Sequence, residues 1–557
     1  MPTRNEIVAE LTAPGGEFPL GAIELNGVPM RVYKNAPASL RDLLLITKAF
    51  GDRPFLIYES EVLTFNEHFR QVAALATHLK SIGVEKGDRV AIGMRNYPEW
   101  VTSFWACQAI GAVAVALNAW WTGPELEYGL EDSGTKVLIA DPERVERVEH
   151  RLATLGLAES IVVRGPASGK WRALADIVAK TAEFPTVSIS PEDYSTILYT
   201  SGTTARPKGA VATHRNHVTN IMNTLLGGAV GRKLAGAPLP PPEFQAGALQ
   251  TFPFFHIGGL TGLYVATVTG TKLALMYRWD PAAAVELVAQ HGLNSVAGVP
   301  YVVRQLLESA RSAGQALPSL IGIASGGAPV PPDLIRTVGA QFHARVAPGN
   351  GYGLTETTSA VITNGGAEYF AKPDSVGRPV PTADAKVVDD NGRDCADGEI
   401  GEIWIRGPNV IPGYWRNKQA TDEAFGGGWF RSGDLGFRDE DGCYHVVDRK
   451  KDVIIRGGEN VYCVEVETAL LENPLVRDVA VLGLPHPELG EIVVCIIQPR
   501  SSVRDASKAE AELRESLEGR LAKFKIPARY AFTNDDLPRT ATGKLLKREM
   551  RTKYFAM

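Results

Sequence analysis

Arg89-Val90-Ala91-Ile92-Gly93-Met94 is a short apolar run, followed by the helix-like stretch Pro98 to Ile110 and then by Ala112-Val113-Ala114-Val115-Ala116-Leu117. A buried strand, a helix and a second buried strand at this spacing predict a βαβ unit and a largely parallel sheet. Thr135-Lys136-Val137-Leu138-Ile139-Ala140 supplies a further strand after another helix, and the same alternation runs from about residue 55 to 320. From about 380 to 447 the character changes. Lys386-Val387-Val388, Glu402-Ile403-Trp404-Ile405 and Tyr444-His445-Val446-Val447 are short strands, with turns at Asn391-Gly392 and Asp441-Gly442, which predicts a small antiparallel β subdomain.

Beyond Asp448 a compact α+β unit is expected. It comprises a helix around Val464 to Leu471, strands at Val479 to Leu482 and Ile492 to Ile497, and a second helix. That last helix is expected to be capped by Ser507 with Glu510 and to present Leu513, Leu517, Leu521 and Phe524 on one face. The fold class is therefore α/β: a large N-terminal domain of βαβ-type sheets with a small β subdomain (1–447), a junction at 448–451, and a small α+β C-terminal domain (452–557). No internal repeat is evident, and Pro238-Leu239-Pro240-Pro241-Pro242 reads as a loop.

With 557 residues the chain is too long for one core. Its 45% hydrophobic and 22% charged content is that of an ordinary globular protein, and a net charge of -5 leaves no basic footprint for nucleic acid. The five cysteines are scattered and form no CxxC pair, so neither a disulfide framework nor a structural zinc site is indicated, and a reducing cytoplasm fits best. The N-terminal residues lack the apolar core of a secretory signal, and the run from Gly111 to Trp121 is too short to span a bilayer. No integral membrane segment is expected, and a homodimer is compatible with the sequence.

The segment richest in chemistry is Tyr199-Thr200-Ser201-Gly202-Thr203-Thr204-Ala205-Arg206-Pro207-Lys208-Gly209. Small hydroxyl residues and glycines let backbone N–H groups approach a phosphate, and Lys208 adds a compact positive charge. The spacing is not that of a Walker A loop, and by composition alone a Ser/Gly/Thr surface turn reads equally well. Further on stand Ala324-Ser325-Gly326-Gly327-Ala328-Pro329 and Asn350-Gly351-Tyr352-Gly353-Leu354-Thr355-Glu356-Thr357. Then come Trp429-Phe430-Arg431-Ser432-Gly433-Asp434, Asp448-Arg449-Lys450-Lys451-Asp452 with Gly457-Gly458, and Pro538-Arg539-Thr540-Ala541-Thr542-Gly543-Lys544.

Taken in this order over residues 50 to 550, these motifs resemble those of the adenylate-forming superfamily, which holds acyl-CoA synthetases, luciferase-like enzymes and peptide-synthetase adenylation domains. The resemblance implies ATP, Mg²⁺ and CoA as co-substrates and metal, with acyl-AMP as the intermediate. It assigns Thr200, Ser201, Gly202, Thr203, Thr204 and Lys208 to the phosphates. Gly326, Gly327, Ala328, Pro329, Asn350, Gly351, Tyr352 and Gly353 become walls of the adenine pocket. Thr355 would contact phosphate, Glu356 would hold Mg²⁺, Asp434 would bind the ribose hydroxyls, and Arg449 would contact ribose and phosphate. Lys544 matches the adenylation lysine, Lys451 the hinge, and Gly457-Gly458 a close approach for the pantetheine arm of CoA.

His256, in Phe252-Pro253-Phe254-Phe255-His256-Ile257-Gly258-Gly259, matches the gate beside the acyl pocket, with a buried structural histidine as its plain alternative. No aspartate lies between Phe252 and Thr261 to bind an α-ammonium, which disfavours an amino-acid substrate, and no carrier segment follows Lys544. The remaining pocket candidates, Gly258, Gly259, Gly327, Thr358, Ser359, Ala360 and Val361, are small or apolar. A medium- or long-chain fatty acid is the first expectation, with an aryl or polycyclic, steroid-type acid as the alternative. Transfer of the acyl group to a carrier protein, its oxidation as in luciferase-like proteins, and a nucleotide-binding regulator without chemistry are the rival readings.

Overall fold

The helix Pro98–Ile110 shows how the large domain is assembled. Pro98 opens it without an N–H to lose, and Gly111 closes it at φ 72°. Every residue within it except Glu99 is buried, including Trp100, Phe104 and Trp105. A helix apolar on all sides must be covered on all sides. It touches the strands Arg89–Gly93 and Val113–Ala116 of one sheet and Pro54–Tyr58 of another, and the largest hydrophobic cluster runs through it between the two.

A computed structural model of the chain describes residues 2–200, 206–342, 345–541 and 543–555. The first sheet has eight strands, in the order Gly413–Tyr414, Lys208–Thr213, Tyr194–Thr200, Val113–Ala116, Arg89–Gly93, Val137–Ala140, Glu159–Val162, Trp171–Ala173. Its pairings from Tyr194–Thr200 onward are parallel, as the βαβ pattern predicts. A nine-stranded sheet carries Gly322–Gly326 beside Ala347–Leu354, in parallel, with Ser359–Gly365 folding back antiparallel. The β subdomain is a five-stranded antiparallel sheet built on Asp384–Val388, Gly401–Arg406, Trp429–Arg438 and Tyr444–Arg449.

The C-terminal unit has its own five-stranded sheet and its own core around Val466, Leu470, Val481, Val493 and Leu513. Its helix Ala506–Leu517 starts earlier than a Ser507 cap allows. Asp505 is the N-cap and accepts from the Lys508 N–H, which corrects the Ser507–Glu510 capping expectation. The helix also stops at Leu517, so Leu521 and Phe524 pack on the core from the following segment rather than from the helix face. Among the described residues no helix is long and apolar enough to cross a membrane, and all five cysteines are free.

Candidate active site

Each sheet delivers one part of the site. The strands Tyr194–Thr200 and Lys208–Thr213 form an antiparallel hairpin with Thr200 opposite Lys208. The Thr200 hydroxyl leans on the Lys208 carbonyl at 3.5 Å. Ser201, Gly202, Thr203 and Thr204, the residues expected to cradle phosphate, lie outside the described residues.

From the second sheet come the two glycine segments. Gly326 pairs with Gly351 across parallel interior strands, so Gly326, Gly327, Ala328, Pro329, Asn350, Gly351, Tyr352 and Gly353 lie at the carboxyl ends of two neighbouring strands. The strand Ala347–Leu354 folds back on Ser359–Gly365 so tightly that a Cβ on Gly353 would sit 2.0 Å from the Ser359 carbonyl oxygen, which only glycine permits.

Between these strands lies the single 3-10 turn Thr355–Thr357, followed by two non-glycine residues in the left-handed region, Thr358 at φ 47° and Ser359 at φ 91°. Such conformations cost about 1–3 kcal/mol each and persist only where neighbours impose them. Here the neighbours are identifiable. The Thr358 hydroxyl donates to the Asn216 and Asn409 carbonyls, Asn409 Nδ2 donates to the Thr357 carbonyl, and Asn220 Nδ2 donates to the Ala360 carbonyl. The strained turn holds Glu356 in place. Its carboxylate is buried and accepts from the Tyr414 hydroxyl at 2.8 Å. Lys208 Nζ lies over the same Tyr414 ring, 5.2 Å from its centroid. Tyr414 reaches Glu356 from the short edge strand that pairs with Lys208–Thr213; in the sequence its only signal is Pro412-Gly413-Tyr414-Trp415, which carries no recognisable chemistry.

The β subdomain supplies a matched pair. Asp434 and Arg449 face one another across antiparallel strands, and Arg449 Nε meets Asp434 Oδ1 at 2.9 Å while the Tyr352 hydroxyl donates to Oδ2 at 2.8 Å. Burial raises the Asp434 carboxyl, and Arg449 and Tyr352 oppose that rise. For Arg449 burial alone would lower the guanidinium, but Asp434 first, then Tyr352 and Glu356, more than compensate and hold it charged.

The C-terminal unit contributes Lys544. The turn that carries it is closed on itself: Thr540 N–H donates to the Lys544 carbonyl at 2.8 Å, and Lys544 N–H donates to the Thr540 hydroxyl at 3.1 Å. The side chain remains solvent-accessible in the cleft and makes no ion pair among the described residues. Crowding by protein lowers its ammonium pKa and Arg449 pushes the same way, whereas Asp434 and Glu356 raise it. Three charges from distant parts of the chain thus act on the Lys544 ammonium.

His256 stands at the start of the helix Ile257–Thr269. Its Nδ1 accepts from the Gly258 N–H at 3.1 Å, so Nε2 carries the proton. Burial, with Lys544 adding to it, lowers its pKa to about 3, which keeps the ring neutral. Phe252 stacks on it at 6.0 Å and 18°. Gly327 faces the same Phe252 and Val299. Gly258, Gly327, Ser359 and Ala360 retain accessible surface. Gly259, Thr358 and Val361 are buried: Gly259 abuts the Pro253 carbonyl, the Thr358 hydroxyl is engaged behind the turn, and Val361 belongs to a core cluster.

At the junction, the strand Tyr444–Arg449 continues through Asp448, and Lys451 is exposed in the turn before Ile454–Arg456. Asp448 is buried and accepts from the Cys463 N–H of the C-terminal unit, and burial raises its carboxyl to about 6. Gly457 and Gly458, at φ 61° and 89°, form the two-residue turn of an exposed hairpin, the geometry that favours a Gly-Gly pair.

These elements define an AMP-binding catalytic fold, and comparison with known proteins agrees. Residues 46–415 match the AMP-binding enzyme family and residues 465–544 its C-terminal domain; the chain belongs to this family. It is 38% identical to feruloyl-CoA synthase of an Amycolatopsis species over 494 residues, 88% of this chain and 94% of that one. It is 33% identical to 2-succinylbenzoate–CoA ligase of Bacillus velezensis, covering 90% of this chain and 95% of the relative. The o-succinylbenzoate CoA synthetase of Bacillus subtilis, solved with its acyl-adenylate OSB-AMP, superposes with a TM-score of 0.77 at 30% identity, covering 91% of this chain and 97% of that one. The protein is an AMP-forming acid–thiol ligase that uses ATP, Mg²⁺ and CoA.

Proposed function

We propose that this ligase activates an aryl carboxylic acid, and that its two half-reactions divide between the two faces of the small domain. The observation that carries the reading is the docking of the Lys544 turn on the large domain, with Gly543 against Val299 and Ala541 against the main core, where the charges of Arg449, Asp434 and Glu356 act on its ammonium.

In the first half-reaction a carboxylate oxygen attacks the α-phosphorus of ATP, the bond to the β-phosphate bridging oxygen breaks, and pyrophosphate leaves. Two anions must meet, so negative charge accumulates at phosphorus, and a donor placed there is worth about 3–4 kcal/mol. Lys544 is that donor. Asp434, already held by Tyr352 and Arg449, receives the ribose hydroxyls, and Arg449 faces the phosphate. Thr200, Lys208, Thr355 and the segment 201–204 take the phosphate chain. Glu356 has one carboxylate oxygen occupied by Tyr414 and one to offer, which fits a magnesium ion that takes its other ligands from phosphate and water; that ion would neutralise phosphate charge.

In the second half-reaction the CoA sulfur attacks the acyl carbonyl carbon, the mixed anhydride C–O bond breaks, AMP departs, and the thiol proton is lost. The small domain turns about 448–451, with Lys451 at the pivot. Lys544 leaves the site, and Gly457-Gly458 face the pantetheine arm.

The acid is aryl rather than the medium- or long-chain fatty acid expected first. The flat Phe252–His256 stack beside Gly258 and Gly327 presents a surface for a ring. The names of the relatives, a feruloyl-CoA synthase and succinylbenzoate ligases, support the same class. The test is pyrophosphate release over hydroxycinnamates, benzoates, steroid acids and C8–C16 fatty acids, with and without CoA. Turnover confined to aryl acids and raised by CoA is expected. Preference for fatty acids would overturn the substrate class, and pyrophosphate without thioester would overturn CoA as acceptor.

A further inference from the structure

The geometry points to Tyr301 as a positioning residue for adenylation, a clasp on the large domain that holds the Lys544 loop in the site. This inference rests on the role proposed above for Lys544. Tyr301 lies in the first turn of the helix Pro300–Ser312, which belongs to the large domain. Its hydroxyl donates to Asp536 Oδ2 of the small domain at 3.1 Å and accepts from Gln305 Nε2 at 2.7 Å. The Arg539 guanidinium lies over its ring, 4.7 Å from the centroid.

Both small-domain partners belong to the segment that leads into Lys544, and both are braced from behind. Asp536 accepts from Gln498 at 2.9 Å, and Arg539 pairs with Asp478 at 2.5 Å. Arg539 Nη1 also donates to the Gly543 carbonyl at 2.7 Å, immediately before Lys544. Val299, beside the same helix start, sits so close to Gly543 that a Cβ there would lie 2.5 Å from Val299 Cγ2. A displacement of the Tyr301 ring therefore reaches the Lys544 backbone through one side chain, Arg539.

Other contacts across this boundary are weaker. Glu308, further along the helix, meets Arg500 at 3.4 Å and Arg477 at 4.0 Å with all three side chains substantially exposed, and exposed pairs contribute little. Val299 against Gly543 and Ala541 against the large-domain core also touch the catalytic loop, but Tyr301 supplies its hydrogen bond and cation–π contact. They are made in the arrangement seen here, and a turn of the small domain about 448–451 would have to release them, so they favour the first half-reaction over the second.

The experiment measures each half-reaction separately in the full chain: acyl-AMP formation from acid and ATP, and thioester formation from supplied acyl-AMP and CoA. Tyr301→Ala is expected to slow acyl-AMP formation about tenfold, the scale of a partly desolvated cation–π contact. Thioester formation should be unchanged or faster, which also certifies that the variant is folded. Tyr301→Phe, which keeps the ring over Arg539, should recover most of the loss. Equal loss in both half-reactions, or no loss in either, would overturn the clasp. Lys544→Ala serves as the control: if it leaves acyl-AMP formation intact, the reading of Lys544 itself falls, whereas loss in Lys544→Ala without loss in Tyr301→Ala removes only the clasp.

Discussion

The acidic side of the site and the lysine side are built on opposite plans. Asp434 and Glu356 are buried in the large domain and already hydrogen-bonded, to Tyr352 with Arg449 and to Tyr414 respectively. Lys544 is solvent-accessible, has no ion-pair partner among the described residues, and sits in a turn closed by its own hydrogen bonds and held on the large domain at Tyr301 and Val299. Groups that bind nucleotide throughout the reaction benefit when they are fixed before it arrives, because no reorganisation is then needed at the moment of chemistry. A group needed in one half-reaction benefits from being removable. The fixed side should therefore govern affinity, and the mobile side rate.

The largest effect expected is on the mobile side. Lys544→Ala should lower steady-state ligase turnover by on the order of a hundred- to thousandfold, with the KM for ATP little changed; a loss expressed in KM instead would place Lys544 among the fixed groups. Next, Glu356→Gln should raise the Mg²⁺ concentration needed for half-maximal rate by roughly a hundredfold. An unchanged magnesium titration would remove Glu356 from the metal site. Asp434→Asn removes the charge facing Arg449 and weakens the ribose contacts, and the KM for ATP should rise about tenfold while kcat moves less.

Smaller effects refine the contrast. Tyr414→Phe deletes one hydrogen bond to a carboxylate and should raise the magnesium requirement only about threefold to tenfold. The pH profile separates the two sides as well. Lys544 must be protonated to act, and its pKa is lowered below the ordinary 10.5. Acyl-AMP formation should therefore decline as pH rises through a value below that of free lysine, and this limb should vanish from the residual rate of Lys544→Arg. Burial lowers the His256 pKa to about 3, so no limb near the ordinary histidine value should come from it.

Local pattern carried much of this architecture into the sequence. The helix Pro98–Ile110 was legible because proline and glycine mark its ends and its apolar content forces burial. The antiparallel strands from Asp384 to Arg449 were legible through their turns. Competition between neighbouring caps was not: Asp505 and Ser507 both suit the role, and the backbone chose the first. The contacts that tune the site were invisible for a different reason. Tyr414 meets Glu356 across 58 residues and Tyr301 meets Asp536 across 235, and no local periodicity records such meetings. Gly259, Thr358 and Val361 are small or apolar residues next to a recognised motif, and the sequence did not show that all three are also closely packed.

The division of the site is tested most sharply by the ratio of the two half-reaction rates in Lys544→Ala, measured by single-turnover formation of acyl-AMP and by conversion of supplied acyl-AMP to thioester. A collapse of the first with the second within about threefold of the unmodified protein is the predicted result. Equal loss of both would contradict a fixed nucleotide side served by a removable lysine.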